Sequence, residues 1–159
     1  MGEVFADGAL LSIDVPQGFS ILTLDELQTL FGLPYDNLWG VRNESRRMRL
    51  CLLWKDSNAV LTKLVSEKSL AKRVENTFAK SGKTYDYACE GYFSREVAGR
   101  TAQGFRCTYK LDGISNTCEV LVFKRKERCY TLYYYTLADQ VSENLPIYEA
   151  VLESISIKP

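Results

Sequence analysis

One dipeptide, Asp112-Gly113, constrains the fold of this chain more than any other feature of the sequence. It lies between two segments in which apolar and polar residues alternate, and Asp-Gly in that setting is a strong signal for a two-residue β-hairpin turn. Such a turn fixes the pairing of the two strands, because paired residues then have numbers with a constant sum. The expected pairs are Leu111–Ile114, Tyr109–Asn116, Cys107–Cys118 and Phe105–Val120.

The predicted register gives the hairpin one apolar and one polar face. The four pairs above make the first face almost wholly apolar. The polar face carries Arg106, Thr108, Lys110, Ser115, Thr117 and Glu119. The alternation and the turn therefore agree on a single register.

The five cysteines are expected to be free thiols. Their number is odd, and no two of them have the Cys-x-x-Cys spacing of a zinc or redox motif. Cys107 and Cys118 face each other, but in a hydrogen-bonded pair, where side chains lie less close together than at the alternate positions. Five free thiols favour a reducing compartment.

Periodicity and capping signals predict the remaining elements. Thr23 and Glu26 form a capping box that begins a helix, Leu22 and Leu27 form a hydrophobic staple, and Gly32 ends the helix. Leu27, Leu30 and Phe31 are expected to share its buried face. Further predicted elements are strands over 10–15 and 48–54, a helical turn over 34–39, and a helix over 67–80.

The C-terminal part is predicted to contribute a central strand and a last helix. The segment 129–136 is rich in aromatic and β-branched residues on both faces, which is typical of a strand that is covered on both sides. The helix is expected over 145–154, with Ser142 as its cap and Pro146 in its first turn. Its predicted buried stripe consists of Ile147, Tyr148, Val151, Leu152 and Ile155.

This order of elements predicts an α+β fold in which helices flank an antiparallel sheet, an α/β/α sandwich. The chain has 159 residues, of which 46% are hydrophobic, and this is enough to bury a core within one domain over 1–159.

Three phrases of the sequence resemble the PsbP-like family, which includes the photosystem II protein PsbP, bacterial DcrB and a nuclear-transport factor acting on the Ran GTPase. They are the segments 12–19 (SIDVPQGF), 130–136 (YTLYYYT) and 151–157 (VLESISI). The resemblance implies a PsbP-like α/β/α sandwich and a role in binding or assembly, without a shared set of catalytic residues. Many bacterial relatives are exported or lipid-anchored, and we expect this chain to depart from them, because the sequence as given shows no signal or lipobox motif and contains five cysteines.

The composition argues against the common kinds of catalysis. The chain contains no histidine, no Gly-x-Gly-x-x-Gly motif and no Walker A motif, so we predict a protein that is not an enzyme and has no cofactor or metal. Glu90 and Glu96 are the best candidates for paired catalytic carboxylates, but a solvated strand face and turn explain them far better, because exposed glutamate needs no further explanation. Twenty basic and twenty acidic residues give a net charge of zero, which argues against a nucleic-acid partner.

We therefore expect a non-enzymatic binding or assembly module that acts through a protein partner. Tyrosine and arginine are enriched at the energetic centres of interfaces. The candidate partner surface consists of Tyr92, Tyr133, Tyr135, Arg46, Arg47 and Arg49. The alternative is a carrier of a small ligand with an aromatic-lined pocket between sheet and helix, which a closed cavity of a few hundred Å³ would favour.

The sequence also gives an expectation for location. No apolar run approaches the roughly 20 residues that a membrane-spanning helix needs. We expect a cytoplasmic location for the chain as given, and an extracytoplasmic one if the native protein carries a signal or a lipid anchor.

Overall fold

The computed structural model describes residues 2–82 and 85–159. The described strands are β1 (Glu3–Phe5), β2 (Leu11–Asp14), β3 (Ser20–Ile21), β4 (Leu38–Asn43), β5 (Met48–Asp56), β6 (Ala88–Val97), β7 (Arg100–Leu111), β8 (Ile114–Arg125), β9 (Arg128–Leu137) and β10 (Ser156–Ile157). The described helices are α1 (Leu24–Phe31), α2 (Ala59–Leu64), α3 (Glu67–Ser81) and α4 (Val141–Ser154).

Two antiparallel sheets and the helices form layers. The large sheet has the strand order β3-β4-β5-β9-β8-β7-β6, and the small sheet has the order β1-β2-β10. On one face of the large sheet, a core that includes Leu132 and Tyr148 joins it to α4 and the small sheet. On the other face, Phe105 packs in a core with Leu27 of α1 and Phe78 of α3. The predicted α/β/α sandwich is confirmed.

The hairpin at Asp112-Gly113 forms as predicted. Asp112 has φ 50° and Gly113 has φ 79°, the left-handed conformations that a tight hairpin turn requires of both central residues. The pairs Leu111–Ile114, Tyr109–Asn116, Cys107–Cys118 and Phe105–Val120 are all present. Local sequence therefore fixes the register of the two longest strands.

The first helix begins and ends at the predicted residues. The Thr23 hydroxyl accepts from the Glu26 backbone N–H, and the Glu26 carboxylate accepts from the Thr23 backbone N–H. Gly32 adopts the left-handed conformation after the last turn. The predicted buried face is only partly correct, because Leu27 is buried and Leu30 is exposed.

The predicted helical turn over 34–39 is wrong, because β4 begins there at Leu38. This strand pairs with β5 along its whole length, and Val41 and Leu38 are buried. Gly40 lets the strand pass closely beneath α1, since a Cβ atom at this position would come within 2.9 Å of the Leu27 Cδ2 atom. The burial that makes this segment a strand comes from a helix that precedes it in sequence.

The last helix begins earlier than predicted. It starts at Val141 and not at Leu145, and Gln140 occupies the N-cap position without a side-chain hydrogen bond, so Ser142 is not the cap. Pro146 lies in the second turn, where it removes only the hydrogen bond to the carbonyl four residues earlier. The predicted apolar stripe is confirmed, with Tyr148, Val151, Leu152 and Ile155 buried and Ile147 packed against them.

One residue of the predicted polar hairpin face is buried. Glu119 on β8 is 2% exposed. Its carboxylate accepts from Arg106 Nη2 at 2.7 Å and from the Tyr148 hydroxyl, and Arg95 Nη1 lies 3.5 Å away. Arg95 in turn pairs with Glu149 of α4 at 2.5 Å. This network fastens α4 to three neighbouring strands.

We expect Glu119→Gln to lower the free energy of unfolding by about 1–3 kcal/mol, because the buried Tyr148 hydroxyl and two arginines lose a charged acceptor. Glu96→Gln is the matched control. Glu96 is exposed on β6 and accepts a hydrogen bond from Thr101, so its change should stay within about 0.5 kcal/mol. Urea unfolding measures both, and equal effects would contradict a special role for the buried carboxylate.

A second carboxylate connects the small sheet to the large one. The buried Asp7 carboxylate accepts from the backbone N–H groups of Leu10 and Leu11, each at 2.9 Å. It also accepts from the Tyr130 hydroxyl at 2.7 Å and pairs with Arg128 at 2.9 Å. Burial opposes ionisation of Asp7, but these hydrogen bonds outweigh it and lower the pKa to about 2.

The lowered pKa predicts a loss of stability in acid. The stabilisation by Asp7 is fully present above its unfolded pKa of about 4 and is lost as the pH falls towards about 2, an effect of about 2 kcal/mol. Unfolding free energies measured across this range should therefore fall more steeply for the wild type than for Asp7→Asn. Asp14→Asn changes an exposed carboxyl group and should leave the slope of the wild type unchanged.

Candidate functional site

An open cleft of about 540 Å³ lies at one end of the large sheet, between the β4–β5 turn and the β7–β8 hairpin. Its lining residues are Arg42, Asn43, Glu44, Arg47, Met48, Arg49, Tyr109, Leu111, Asn116, Tyr135, Thr136 and Leu137. We call Arg42, Arg47, Arg49, Tyr109 and Tyr135 the arginine–tyrosine surface. It contains three of the six residues that the sequence indicated.

Two arginines stand side by side on this surface. Arg42 of β4 is the direct cross-strand partner of Arg49 of β5, and like charges in such a position destabilise a sheet. Arg42 pairs with Glu26 at 3.0 Å and lies 3.5 Å from Glu44. Within residues 2–82 and 85–159, no carboxylate forms an ion pair with Arg49.

Arg49 also retains an unused donor. Its Nε atom is screened from solvent and has no hydrogen-bond partner in the described part of the chain, whereas the Nε atom of Arg42 lies 3.5 Å from a carboxylate oxygen of Glu44. A buried donor without an acceptor costs free energy, because it has lost its water without replacement. The arrangement suits a ligand that brings acceptor oxygens.

Aromatic rings hold Arg49 in place. Its guanidinium carbon lies 4.3 Å from the centroid of the Tyr135 ring, a cation–π contact that keeps the positive charge in position. Tyr135 itself stacks on Tyr133, with centroids 6.4 Å apart and ring planes 4° from parallel. The arginine is therefore supported by a stack of two rings on the central strand.

The tyrosines of the surface stay protonated at any physiological pH. Burial raises the pKa of Tyr135 and of Tyr109 well above the ordinary value, and nearby thiols add to the effect. Their hydroxyl groups therefore remain able to donate hydrogen bonds. Together with the arginines, they make the surface rich in donors.

Of the six residues indicated by the sequence, the structure brings Arg47, Arg49 and Tyr135 together at the cleft. Arg46 lies in the same turn and is exposed, but it is not among the residues that line the cleft. Its backbone carbonyl accepts from the Asn144 amide at 2.9 Å.

The other two indicated residues lie elsewhere. Tyr133 is 7% exposed and belongs to the core beneath α1 and α3, so it supports Tyr135 from within and presents no surface of its own. Tyr92 is exposed on β6, and its hydroxyl donates to Glu75 of α3 at 3.0 Å. The candidate surface is therefore smaller than the sequence suggested.

The candidate residue set missed two members of the surface, Arg42 and Tyr109. Arg42 lies close in sequence to Arg46, Arg47 and Arg49, but its position opposite Arg49 depends on β4, a strand that periodicity does not reveal. Tyr109 was placed on the apolar face of the hairpin, and this is correct, since it packs against the core at the rim of the cleft. Only the pairing of β4 with β5 identifies Arg42 as a member of the surface.

Two other clefts offer less to a ligand than this surface. A larger cleft of about 910 Å³ is lined mainly by charged side chains, including Lys124 and Arg128, but Lys124 pairs with Glu67 and Arg128 with Asp56. Between α3 and the sheet lies a cleft of about 290 Å³ with Tyr92 as its one aromatic lining residue.

The described residues include no group of three or more Cys, Asp or Glu side chains that could hold a metal ion. None of the helices in the described ranges is both long and apolar enough to cross a membrane.

Comparison with known proteins shows the fold. No protein-family model and no curated protein sequence matches this chain. Its structure is similar to that of cyanobacterial PsbP (CyanoP) from Synechocystis, with a TM-score of 0.65, 12% identity, and coverage of 93% of this chain and 86% of the other.

Two further solved structures are similar to this chain in fold. A Bacteroides thetaiotaomicron protein gives a TM-score of 0.65 at 10% identity, over 99% of this chain and 48% of the other, so this chain spans about half of that protein. The Ran-binding protein Mog1p from Saccharomyces cerevisiae gives a TM-score of 0.58 at 9% identity, over 98% and 94%. The chain therefore has a PsbP-like fold, as its sequence phrases implied.

If the paired arginines serve binding, folding should not need both. We expect Arg49→Glu to change the free energy of unfolding by less than about 1 kcal/mol, because the new ion pair with Arg42 offsets the lost cation–π contact. Urea unfolding beside the wild type tests this. A loss of more than about 2 kcal/mol would show that Arg49 is mainly structural.

Proposed function

We propose that this protein is a non-enzymatic binding module that acts through a protein partner, and that its arginine–tyrosine surface receives an acidic segment of that partner. The observation that carries the proposal is the direct opposition of Arg42 and Arg49, of which Arg49 has an unused, screened Nε donor. A partner carboxylate would neutralise the charge of Arg49 and supply its missing acceptor, and arginine binds carboxylates in two-bonded geometry.

The supporting side chains fit the same interpretation. The polar side chains of Arg42, Arg49 and Tyr135 are predominantly donors, so the surface complements acceptor groups better than cations. A rigid tyrosine that holds an arginine loses little side-chain entropy on binding, which is one reason why both residues concentrate at interface hot spots.

An apolar edge adjoins the charged part. Leu111 and Ile114, the pair beside the hairpin turn, are 43% and 55% exposed. An interface usually combines an apolar centre with charged contacts that set its specificity. We propose that the hairpin tip packs against apolar side chains of the partner while the arginines hold its carboxylates.

The fold is compatible with such a role. The yeast neighbour is by name a Ran-binding protein, so a protein of this fold can serve protein binding. The absence of histidine from the chain and the lack of a phosphate-binding motif support a non-enzymatic function.

The test is affinity capture from native soluble and membrane fractions, read by quantitative mass spectrometry, with four baits. These are the wild type, Arg49→Glu, Arg42→Glu with Arg49→Glu, and Lys110→Glu as the matched control. Lys110 is exposed on the opposite face of the same hairpin, so this bait carries the charge change of Arg49→Glu outside the proposed surface.

We expect a stoichiometric protein that the wild type and Lys110→Glu retain, that Arg49→Glu loses, and whose retention falls as salt is raised. A partner retained equally by every bait would place binding outside the arginine–tyrosine surface. If the wild type retains no partner in either fraction, the binding-module proposal fails.

A further inference from the structure

Three of the five cysteines lie side by side across the sheet. Cys89 of β6 pairs with Cys107 of β7, and Cys107 pairs with Cys118 of β8. All five cysteines are free in the structure. The three thiols form a row at the end of the sheet away from β4, and the proposed binding function does not use them.

Hydrogen-bond alternation distinguishes the two pairs. Leu111 and Ile114 flank the two-residue turn and are hydrogen-bonded, so Cys107 and Cys118, four residues further along each strand, are hydrogen-bonded as well. The backbone groups of Cys107 therefore point towards β8. It follows that Cys89 and Cys107 form a non-hydrogen-bonded pair.

The non-hydrogen-bonded position brings the side chains closer. Its Cα atoms are typically about 4.5 Å apart, against about 5.5 Å in the hydrogen-bonded position. Both values lie in the range found for disulfides, and the Cys118 thiol is also a hydrogen-bond partner of the Cys107 sulfur. Cys107 thus has a thiol neighbour on each side, and of the two only Cys89 is exposed.

The two thiols differ in access. Cys89 is exposed on the edge strand, whereas Cys107 is fully buried. An oxidant from solution therefore reacts with Cys89 first, and Cys107 lies beside it as the second thiol. Cys118 is also fully buried, and β7 separates it from Cys89.

The surroundings favour a thiolate at the second position. A hydrogen bond from the Cys118 thiol outweighs burial and lowers the pKa of Cys107. Burial raises the pKa of Cys89. In a two-step exchange, the attacking group of the second step must be a thiolate, and Cys107 is prepared for that step.

We propose that Cys89 and Cys107 are a redox-active pair that a small-molecule disulfide such as oxidised glutathione converts into an intramolecular disulfide. The Cys89 thiolate attacks one sulfur of the reagent, which forms a mixed disulfide and releases one glutathione thiolate. The Cys107 thiolate then attacks the Cys89 sulfur and releases the second glutathione thiolate. Two electrons pass from the protein thiols to the reagent, and the two protein protons pass to the released thiolates.

The disulfide would act on the edge of the sheet. Cys89 precedes a register shift in β6, between Cys89 and Gly91, at which the pairing with β7 is irregular. A covalent bond at this point would hold the beginning of the edge strand against β7. The oxidised protein should therefore unfold at a higher temperature than the reduced protein.

The experiment treats the full chain with oxidised glutathione, alkylates the remaining thiols, and maps tryptic peptides without reduction. Cys89, Cys107 and Cys118 fall on three different tryptic peptides, residues 84–95, 107–110 and 111–124. We expect the first two peptides to be joined, the intact protein to lose two hydrogens, and Cys118 to be alkylated.

Two variants complete the test. Cys89→Ser changes an exposed residue, so it should fold normally and lose the bridge completely. Cys118→Ala should keep the bridge between residues 89 and 107, provided that its thermal unfolding transition shows a folded protein. A bridge between Cys107 and Cys118, a stable glutathione adduct on Cys89, or only intermolecular dimers in the wild type would each overturn the proposal.

Discussion

The burial of β9 on both faces is the constraint on which the rest of the structure depends. This strand lies at the middle of the seven-stranded sheet, between β5 and β8. Its even-numbered side chains, such as Leu132 and Tyr134, enter the core shared with α4, and its odd-numbered side chains, such as Tyr133 and Tyr135, face α1 and α3. A strand in this position requires helices on both sides, because neither apolar face can be left in water. The tyrosine-rich sequence of β9 thus determines the three-layer arrangement.

The hairpin and the central strand were predictable because their signals are local. Asp112-Gly113 and its flanking alternation need no distant partner to be interpreted, and all four pairs that they predict are present. The strand β4 was not predictable in this way, because its burial depends on α1 and on the close approach that Gly40 permits. The burial of the charged Glu119 side chain was likewise not predictable from local sequence. Its carboxylate meets its donors only after the fold has brought Arg95 and Tyr148 to it from 24 and 29 residues away.

The same distinction between local signals and contacts that only the fold makes applies to the candidate surface. Arg47, Arg49 and Tyr135 could be proposed from residue type alone, since basic residues at a strand end and tyrosines are common in interfaces. Their grouping with Arg42 depends on the cross-strand pairing of β4 with β5. Tyr133 is buried because helices cover its side of β9, in agreement with the prediction that segment 129–136 is covered on both sides and against its choice as a surface residue. Sequence thus indicated the chemistry of the surface, and the sheet register selected its members.

Both proposed sites lie on one transverse row of the large sheet. The row runs from Arg42 through Arg49, Tyr135, Cys118 and Cys107 to Cys89. Its middle is buried, and the thiols of Cys107 and Cys118 there are fully shielded from solvent. The two ends of the row are less covered by helices than its middle. The arginine pair is therefore tolerated at one end, and the Cys89 thiol is accessible at the other. The proposed chemistry with outside molecules thus lies away from the centre of the sheet, because the helices that make the centre stable also exclude a ligand from it.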